Sequence, residues 1–392
     1  MKGHIRKRSK GSWTIVIDVG RDPQTGDRKQ HWYTVQGTKK DAESKLTELI
    51  HSLNKGSYIK LARITVAEYL EQWLQGYVAT NTAPRTRERY QEIVRVHLVP
   101  ALGSLALSAL QPQHIQRYYA TALDSGRRDG KGGLSSRTVH HHHRVLYEAL
   151  RHGVKHGIIV RNPAEAVDPP RPGNREIVML GPNEVSSLMD AAKNSPHYLV
   201  FLTALYTGLR RGELLGLRWC DVDLDLASLS VVQTVQQLRT GEYVFSEPKT
   251  KKSRRQIALP PSLALLLREH RKKKEDEQIA LGKVLGQENL VFSSSDGAPL
   301  RPNTITRSLS KIGRSVGLKG VRLHDLRHAH ATIMLQQGVH PKIVSERLGH
   351  SSIAITLDTY SHVLPGLQED AARRFDERLQ NIVEDGLPVI GR

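Results

Sequence analysis

The sequence predicts a multidomain α+β protein. A small N-terminal domain of a three-stranded sheet plus one helix is followed by an all-α domain, then by a mainly α domain with a small antiparallel sheet. Three observations predict this. Strand-period alternation dominates the first 60 residues, helical periodicity fills residues 64 to 167, and the segment DPPRPGNREIVML at 168–180 is rich in proline and charge without an apolar period.

In residues 1–60, SWTIVIDV and KQHWYTVQ alternate at strand period around the turn GRDPQTGDR. A helix is expected from Thr38, with Asp41 as its capping-box partner. The basic residues Lys2, Arg6, Lys7, Arg8, Lys10, Arg28, Lys29, Lys39 and Lys40 are expected mainly in an N-terminal arm, the turn and the helix start, where they reach phosphates.

Residues 61–167 read as four or more helices, among them TVAEYLEQWLQGYV, PRTRERYQEIVRVHLVPAL, QPQHIQRYYATAL and SSRTVHHHHRVLYEALRHGVKHG. RTRERY and SSRTVHHHHR set Arg85, Thr86, Arg87, Tyr90, Arg137, Thr138, His141 and Arg144 near helix beginnings, suited to gripping a DNA backbone. The four histidines His140–His143 do not suggest a metal site. Adjacent helical residues point about 100° apart and cannot converge on one ion; a solvated or phosphate-facing helix is expected instead.

After the linker at 168–180, residues 181–392 alternate helices (GPNEVSSLMDAAK, YLVFLTALYTG, RRGELLGLRW), strands (SLSVVQTV, EYVFSEP, RRQIALP) and further helices. REHRKKKEDEQ reads as a solvated helix end.

The composition restricts the function. Lys plus Arg number 58 against 39 Asp plus Glu, a formal net charge of +19, which calls for a polyanionic partner. No 18-residue apolar run and no N-terminal apolar segment is present, so a membrane partner and secretion are not expected. The single cysteine, Cys220, excludes an internal disulfide and a Cys-rich zinc module and fits a reducing cytoplasm.

The last domain gathers groups suited to phosphodiester chemistry without a metal. TGLRRGELLGLRW holds Arg210 and Glu213 at i, i+3, so the acid can hold the guanidinium while leaving outer donors available. LHDLRHAHAT sets His324 and Arg327 at the same spacing, LGH ends in His350, and Tyr360 follows in LDTYSHVLP among small and polar residues. Planar guanidinium forks neutralise non-bridging oxygens, imidazoles handle protons and a phenol attacks.

With these residues in this order, the sequence resembles the tyrosine recombinases of the phage integrase family over nearly the whole chain. The family's Arg, Lys, His-x-x-Arg, His or Trp, Tyr set matches Arg210, Lys249 of EPKTKKSRRQIALP, His324, Arg327, His350 and Tyr360, with Lys251 or Lys252 as alternatives to Lys249. The resemblance implies an arm-type DNA-binding domain at 1–60, a core-site DNA-binding domain at 61–167, a linker at 168–180 and a catalytic domain at 181–392. It implies Tyr360 as nucleophile forming a 3′-phosphotyrosyl link, Arg210 and Arg327 stabilising the phosphorane, His324 as proton acceptor or phosphate donor, His350 as donor and Lys249 as acid. The polar flank of Tyr360 suits a nucleophile that is not locked in an apolar core.

No cofactor is expected: the exchange conserves bond energy, and no Gly-x-x-x-x-Gly-Lys-Ser/Thr loop is present. The implied partners are double-stranded attachment-site DNA of core and arm type, a homo-tetramer on that DNA, and accessory DNA-bending proteins and an excision factor. The place of action is the nucleoid in a bacterial cytoplasm. Xer-type resolvases, type IB topoisomerases and non-cleaving DNA-binding regulators are the alternatives. The extra N-terminal domain argues against the first two and the complete residue set against the third.

Overall fold

A computed structural model describes residues 3–21, 26–54, 64–173, 180–248, 251–360 and 372–380, the side chains of Ser52 and Lys251 excepted. Lys2, Lys249 and the linker stretch 174–179 lie outside the described residues. The chain divides into two compact units, Met1–Asn174 and Arg175–Arg392.

The first unit opens with the expected antiparallel sheet, β1 (Gly3–Ser9), β2 (Ser12–Arg21) and β3 (Arg28–Gln36), followed by helix α1 (Lys39–Asn54). Thr38 and Asp41 form the capping box, with Thr38 N donating to Asp41 Oδ2 at 2.7 Å and Asp41 N to Thr38 Oγ1 at 3.3 Å. The register aligns Ile5, Ile15 and Tyr33, which pack with Leu46 and Leu49 of α1 into one core. One position along, Arg6, Thr14 and Thr34 align on the opposite face. Arg6, Lys7 and Arg8 therefore stand in β1 rather than in a loose arm. Arg8 donates to Thr34 Oγ1 at 3.3 Å, and Arg28 is paired with Asp18 at 2.5 Å.

The helical part comprises α2 (Val66–Trp73), α3 (Ala79–Asn81), α4 (Pro84–Ile93), α5 (Val99–Leu102), α6 (Pro112–Ser125) and α7 (Ser136–Lys155). Two single π-helical turns, Leu74–Val78 and Val94–Leu98, interrupt what reads in sequence as uniform 3.6-residue periodicity. Leu70, Leu98, Ile115 and Leu146 are fully buried in its core. The histidine run is not wholly solvated: His142 is 1% exposed and lies 2.6 Å from the Tyr118 hydroxyl, and His143 lies 2.6 Å from that of Tyr119. On a helix the run must turn partly inward. Burial pushes His142 down to about 3, so it packs as a neutral ring.

The second unit contains α8 (Pro182–Ala192), α9 (Tyr198–Thr207), α10 (Arg211–Leu215), α11 (Pro261–Ala280), α12 (Pro302–Ser315), α13 (Leu323–Gln336), α14 (Pro341–Leu348) and α15 (Ile353–Tyr360). Residues 372–380 are also helical. Its strands are β4 (Val222–Asp223), β5 (Ser228–Val231), β6 (Thr234–Gln237), β7 (Tyr243–Ser246) and β8 (Arg255–Ala258). The stretch SLSVVQTV is two strands, not one: β5 joins the sheet β4-β5-β8, and β6 pairs with β7 as a separate hairpin. In the run expected to be a solvated helix end, Lys274 is only 9% exposed and bonds Glu277 at 2.8 Å.

Candidate active site

Three arginines meet at the end of α14. Arg255 Nε donates to Arg347 O at 2.6 Å, Arg327 Nη2 to Leu348 O at 2.7 Å and Arg210 Nη2 to Gly349 O at 2.9 Å. These carbonyls belong to the last turn and cap of a helix, where intrahelical partners run out and the dipole is negative. The guanidiniums therefore fix one corner of chain, with His350 as its next residue. Gly349 makes the corner possible: its φ is +66°, and an added Cβ would stand 2.9 Å from Arg255 Nη1. Gly208 does the same at the end of α9, with φ +64° and a carbonyl accepting from Arg327 Nη1 at 2.7 Å.

Glu213 binds two of these arginines. It is 4% exposed, accepts from Arg210 Nη1 at 2.8 Å and from Arg255 Nη2 at 2.9 Å, and caps α10 through Arg210 N at 2.9 Å. Burial pushes its carboxyl up, but the bonds and charges of Arg255 and Arg210 outweigh this and hold it below the usual value. Arg327 is 2% exposed, and burial, then the charge of Arg210, presses its pKa down. Its bonds to Gly208 O and Leu348 O use two of the five N–H donors of a guanidinium. A cluster so rich in buried positive charge is stabilised by an arriving anion. The adjoining cleft is lined by Arg210, Thr234, Gln236, Ser253, His350 and Ile355.

The expected histidines take different positions. His350 Nδ1 lies 2.8 Å from Thr356 Oγ1, and burial followed by the charges of Arg327 and Arg210 takes it down to about 4. His324 keeps an exposed edge, and its pKa is lowered by surrounding protein and then by Arg327.

Tyr360 departs from expectation. It is 1% exposed and packs with Ala331, Leu335, Val344 and Leu348. Within α15 its polar neighbours Asp358 and Thr359 are less buried than it is, and burial pushes the phenol up to about 12. Its hydroxyl lies 2.8 Å from Nδ1 of His328, not from His324.

Arg255, Arg347 and His328 were not singled out in the sequence. Arg255 is on the same side of β8 as buried Ile257, which the alternation of RQIA could have shown. His328 stands four residues after His324 on one helical face. Arg347 Nε donates to His330 Nε2 at 3.1 Å, and both belong to the framework behind the site.

Lys249 lies outside the described residues. Lys252 Nζ donates to Ser351 O at 2.8 Å, beside His350.

In the first unit, Arg85, Thr86 and Arg87 lie in the first turn of α4 with Tyr90 further along it, and Arg137 and Thr138 open α7, with His141 and Arg144 in its later turns. Arg87 turns inward to Ala79 O, Tyr90 stacks on Trp73 with centroids 5.7 Å apart, and Arg85 pairs with Glu88 at 3.0 Å. Arg137, His141 and Arg144 are exposed. Lys10 lies in the β1–β2 turn and Lys29 in β3.

A guanidinium cluster around a bound helix end, with a phenol and imidazoles beside it, is suited to holding a phosphate next to a tyrosine nucleophile. Residues 179–366 match the phage integrase family, residues 65–122 its N-terminal SAM-like domain, and residues 4–53 an arm DNA-binding domain. The chain belongs to the phage integrase family of tyrosine recombinases, the site-specific recombinases that act on DNA. A tyrosine recombinase XerC-like protein of Caldanaerobacter subterraneus subsp. tengcongensis is 28% identical, over 96% of this chain and 98% of its own. The ICEBs1 integrase of Bacillus subtilis is 26% identical over 96% and 100%. A Tn1549 transposon integrase solved in complex with a circular intermediate DNA superposes with a TM-score of 0.65 at 23% identity, over 81% of this chain and 99% of that one. Among the described residues no helix is long and apolar enough to cross a membrane.

Proposed function

We propose that this recombinase integrates or excises a mobile element by cutting and rejoining attachment-site DNA through a 3′-phosphotyrosyl link to Tyr360. The observation that carries the reading is the convergence of Arg210 and Arg327 on the corner 348–349, beside His350 and on the helix that faces Tyr360. The guanidiniums face the scissile phosphate and stabilise charge that grows on its non-bridging oxygens. His324 and His350 add donors, Glu213 positions Arg210, and Lys249 protonates the departing 5′-oxygen. Bond energy is retained in the phosphotyrosyl link, so the reverse attack by a partner strand's 5′-hydroxyl completes exchange without metal or nucleotide.

The phenol is buried in the free chain, so the scissile phosphate has to gain access to the Tyr360 hydroxyl where it stands beside His328. Residues 4–53 grip arm-type sites, with Arg6 and Arg8 on one sheet face, and residues 64–167 grip the core site through Arg137, His141 and Arg144. Four copies act on two sites in a bacterial cytoplasm, assisted by DNA-bending proteins and an excision factor. The 372–380 helix, which exposes Phe375 and Leu379 one turn apart, supports a protomer-to-protomer contact.

The test is a core-site suicide duplex, in which the nicked product escapes and traps the intermediate. The wild-type chain should stay attached after boiling in detergent, and Tyr360→Phe should bind with near-normal affinity and trap nothing. An adduct with Tyr360→Phe reassigns the nucleophile.

A further inference from the structure

The residue nearest the attacking oxygen is one to which the mechanism above gives no role. His328 Nδ1 lies 2.8 Å from the Tyr360 hydroxyl, with ring centroids 5.7 Å apart. We infer that His328 is the general base that removes the phenolic proton as Tyr360 attacks. The inference rests on Tyr360 being the nucleophile.

The helix geometry favours it. On α13, His324, Arg327 and His328 occupy positions i, i+3 and i+4 of one face, so the residue beside the base is the arginine that faces the phosphate. The other histidines are less well placed: His350 Nδ1 is engaged with Thr356, and His324 meets the His328 ring edge-on, 4.8 Å away between centroids. A neutral imidazole has one bare nitrogen and one N–H. With the phenol O–H donating, Nδ1 is the bare one and the proton sits on Nε2.

Burial first, and the charges around it second, keep the ring neutral, with Asp325 alone among those charges opposing. Tyr360 faces it from α15, His324, Asp325 and Arg327 from α13, Arg322 from the start of that helix, and His350 from beyond α14. Burial, then His324, lowers His328 to about 4, so at neutral pH the ring is neutral and its Nδ1 lone pair is available to the phenol.

In the step itself the Tyr360 Oη–P bond forms while the P–O5′ bond breaks. The phenolic proton passes to Nδ1, giving an imidazolium, and O5′ takes its proton from Lys249. Religation reverses both transfers, the imidazolium returning its proton to the departing phenolate. The negative charge growing on the phosphorane offsets the transient positive charge on His328.

A group that only holds the tyrosine in place would lower the rate without changing its pH dependence. Single-turnover cleavage of the suicide duplex by the full chain separates the cases. Wild type should vary little between pH 6 and 8 on this account. His328→Ala should lose roughly 10²–10⁴-fold near neutrality, and its residual rate should climb about tenfold per pH unit, because the phenolate must then form beforehand. His328→Gln, which keeps a hydrogen-bonding side chain, should show the same slope and serves if the alanine variant does not fold. A fluorinated, more acidic tyrosine at position 360 should recover much of the loss in His328→Gln and change the native chain little; this arm decides the matter in the native chain if neither variant folds. A merely lowered, flat profile, an unchanged rate, no recovery, or a one-for-one response of the native chain to phenol acidity overturns the inference. Tyr360→Phe run alongside isolates the reading beneath it: an adduct there removes the nucleophile, whereas unaltered His328 profiles with an inert Tyr360→Phe remove only the base.

Discussion

Arg255 Nη2 lies 2.9 Å from Glu213 Oε2, in a pair whose side chains are 6% and 4% exposed. The same carboxylate bonds Arg210, so one buried anion holds two arginines at fixed separation. Removing one partner of a buried pair leaves the other charge uncompensated, which typically destabilises by about 3–5 kcal/mol. Glu213→Ala should lower stability by that order in denaturant melts and slow cleavage more than it weakens DNA binding. Because the folded carboxyl lies below its usual value, the wild-type pair stabilises above that value, and its contribution disappears as pH falls through the folded one. The alanine variant should lack that acid-side loss.

A second pH effect has its origin in the histidines. His328, His330 and His350 are held at about 4 in the folded chain, against 6.5 for an ordinary histidine. Between those values the unfolded chain binds more protons than the folded one, so stability falls as pH drops from about 6.5 towards 4. The thermal midpoint should begin to decline just below pH 6.5, well before ordinary carboxylates start to titrate. His330→Phe, which keeps a ring against Gly208 and cannot be protonated, should flatten part of the decline.

The lysine that acts as the acid can be identified by its chemistry. Replacing the 5′-bridging oxygen by sulfur gives a leaving group that departs without a proton, since a thiol ionises near 8.5, far below an alcohol. Lys249→Ala should slow the oxygen substrate by roughly 10²–10⁴-fold and be largely rescued on sulfur, whereas Arg210→Ala should stay slow on both. Lys252, bonded to Ser351 O, should show no rescue pattern. Rescue in Lys251→Ala with a normal Lys249→Ala would move the acid two residues along.

Deleting residues 1–60 should abolish recombination that needs distal arm sites while leaving cleavage of an isolated core site measurable. A truncated chain that recombines complete attachment sites at the normal rate would end the arm-binding role. Affinity of the full chain for DNA should fall steeply with salt, as each phosphate contact releases condensed counterions.

Much of this was legible in the sequence because local rules agreed with the fold. The Thr38–Asp41 capping box, the alternation of β2 and β3, and the i, i+3 spacing of Arg210 with Glu213 and of His324 with Arg327 all appear as read. What escaped was set by tertiary packing. A polar flank says nothing about which side of α15 turns inward, so the burial of Tyr360 was not visible. The two π turns leave no compositional mark, and the inward turn of His142 depends on Tyr118 from another helix. His328 was passed over because His-x-x-Arg draws attention to its first member, although helical spacing sets both histidines on one face.

The central claim is that the Tyr360 oxygen becomes linked to DNA. The most direct measurement is to trap the wild-type chain on a core-site suicide duplex, digest the adduct with protease and nuclease, and locate the nucleotide-bearing peptide by mass spectrometry. The account predicts a 3′-phosphonucleotide on the peptide that contains Tyr360, with a free 5′-hydroxyl on the released strand. A linkage on any other residue, or to a 5′-phosphate, would contradict it.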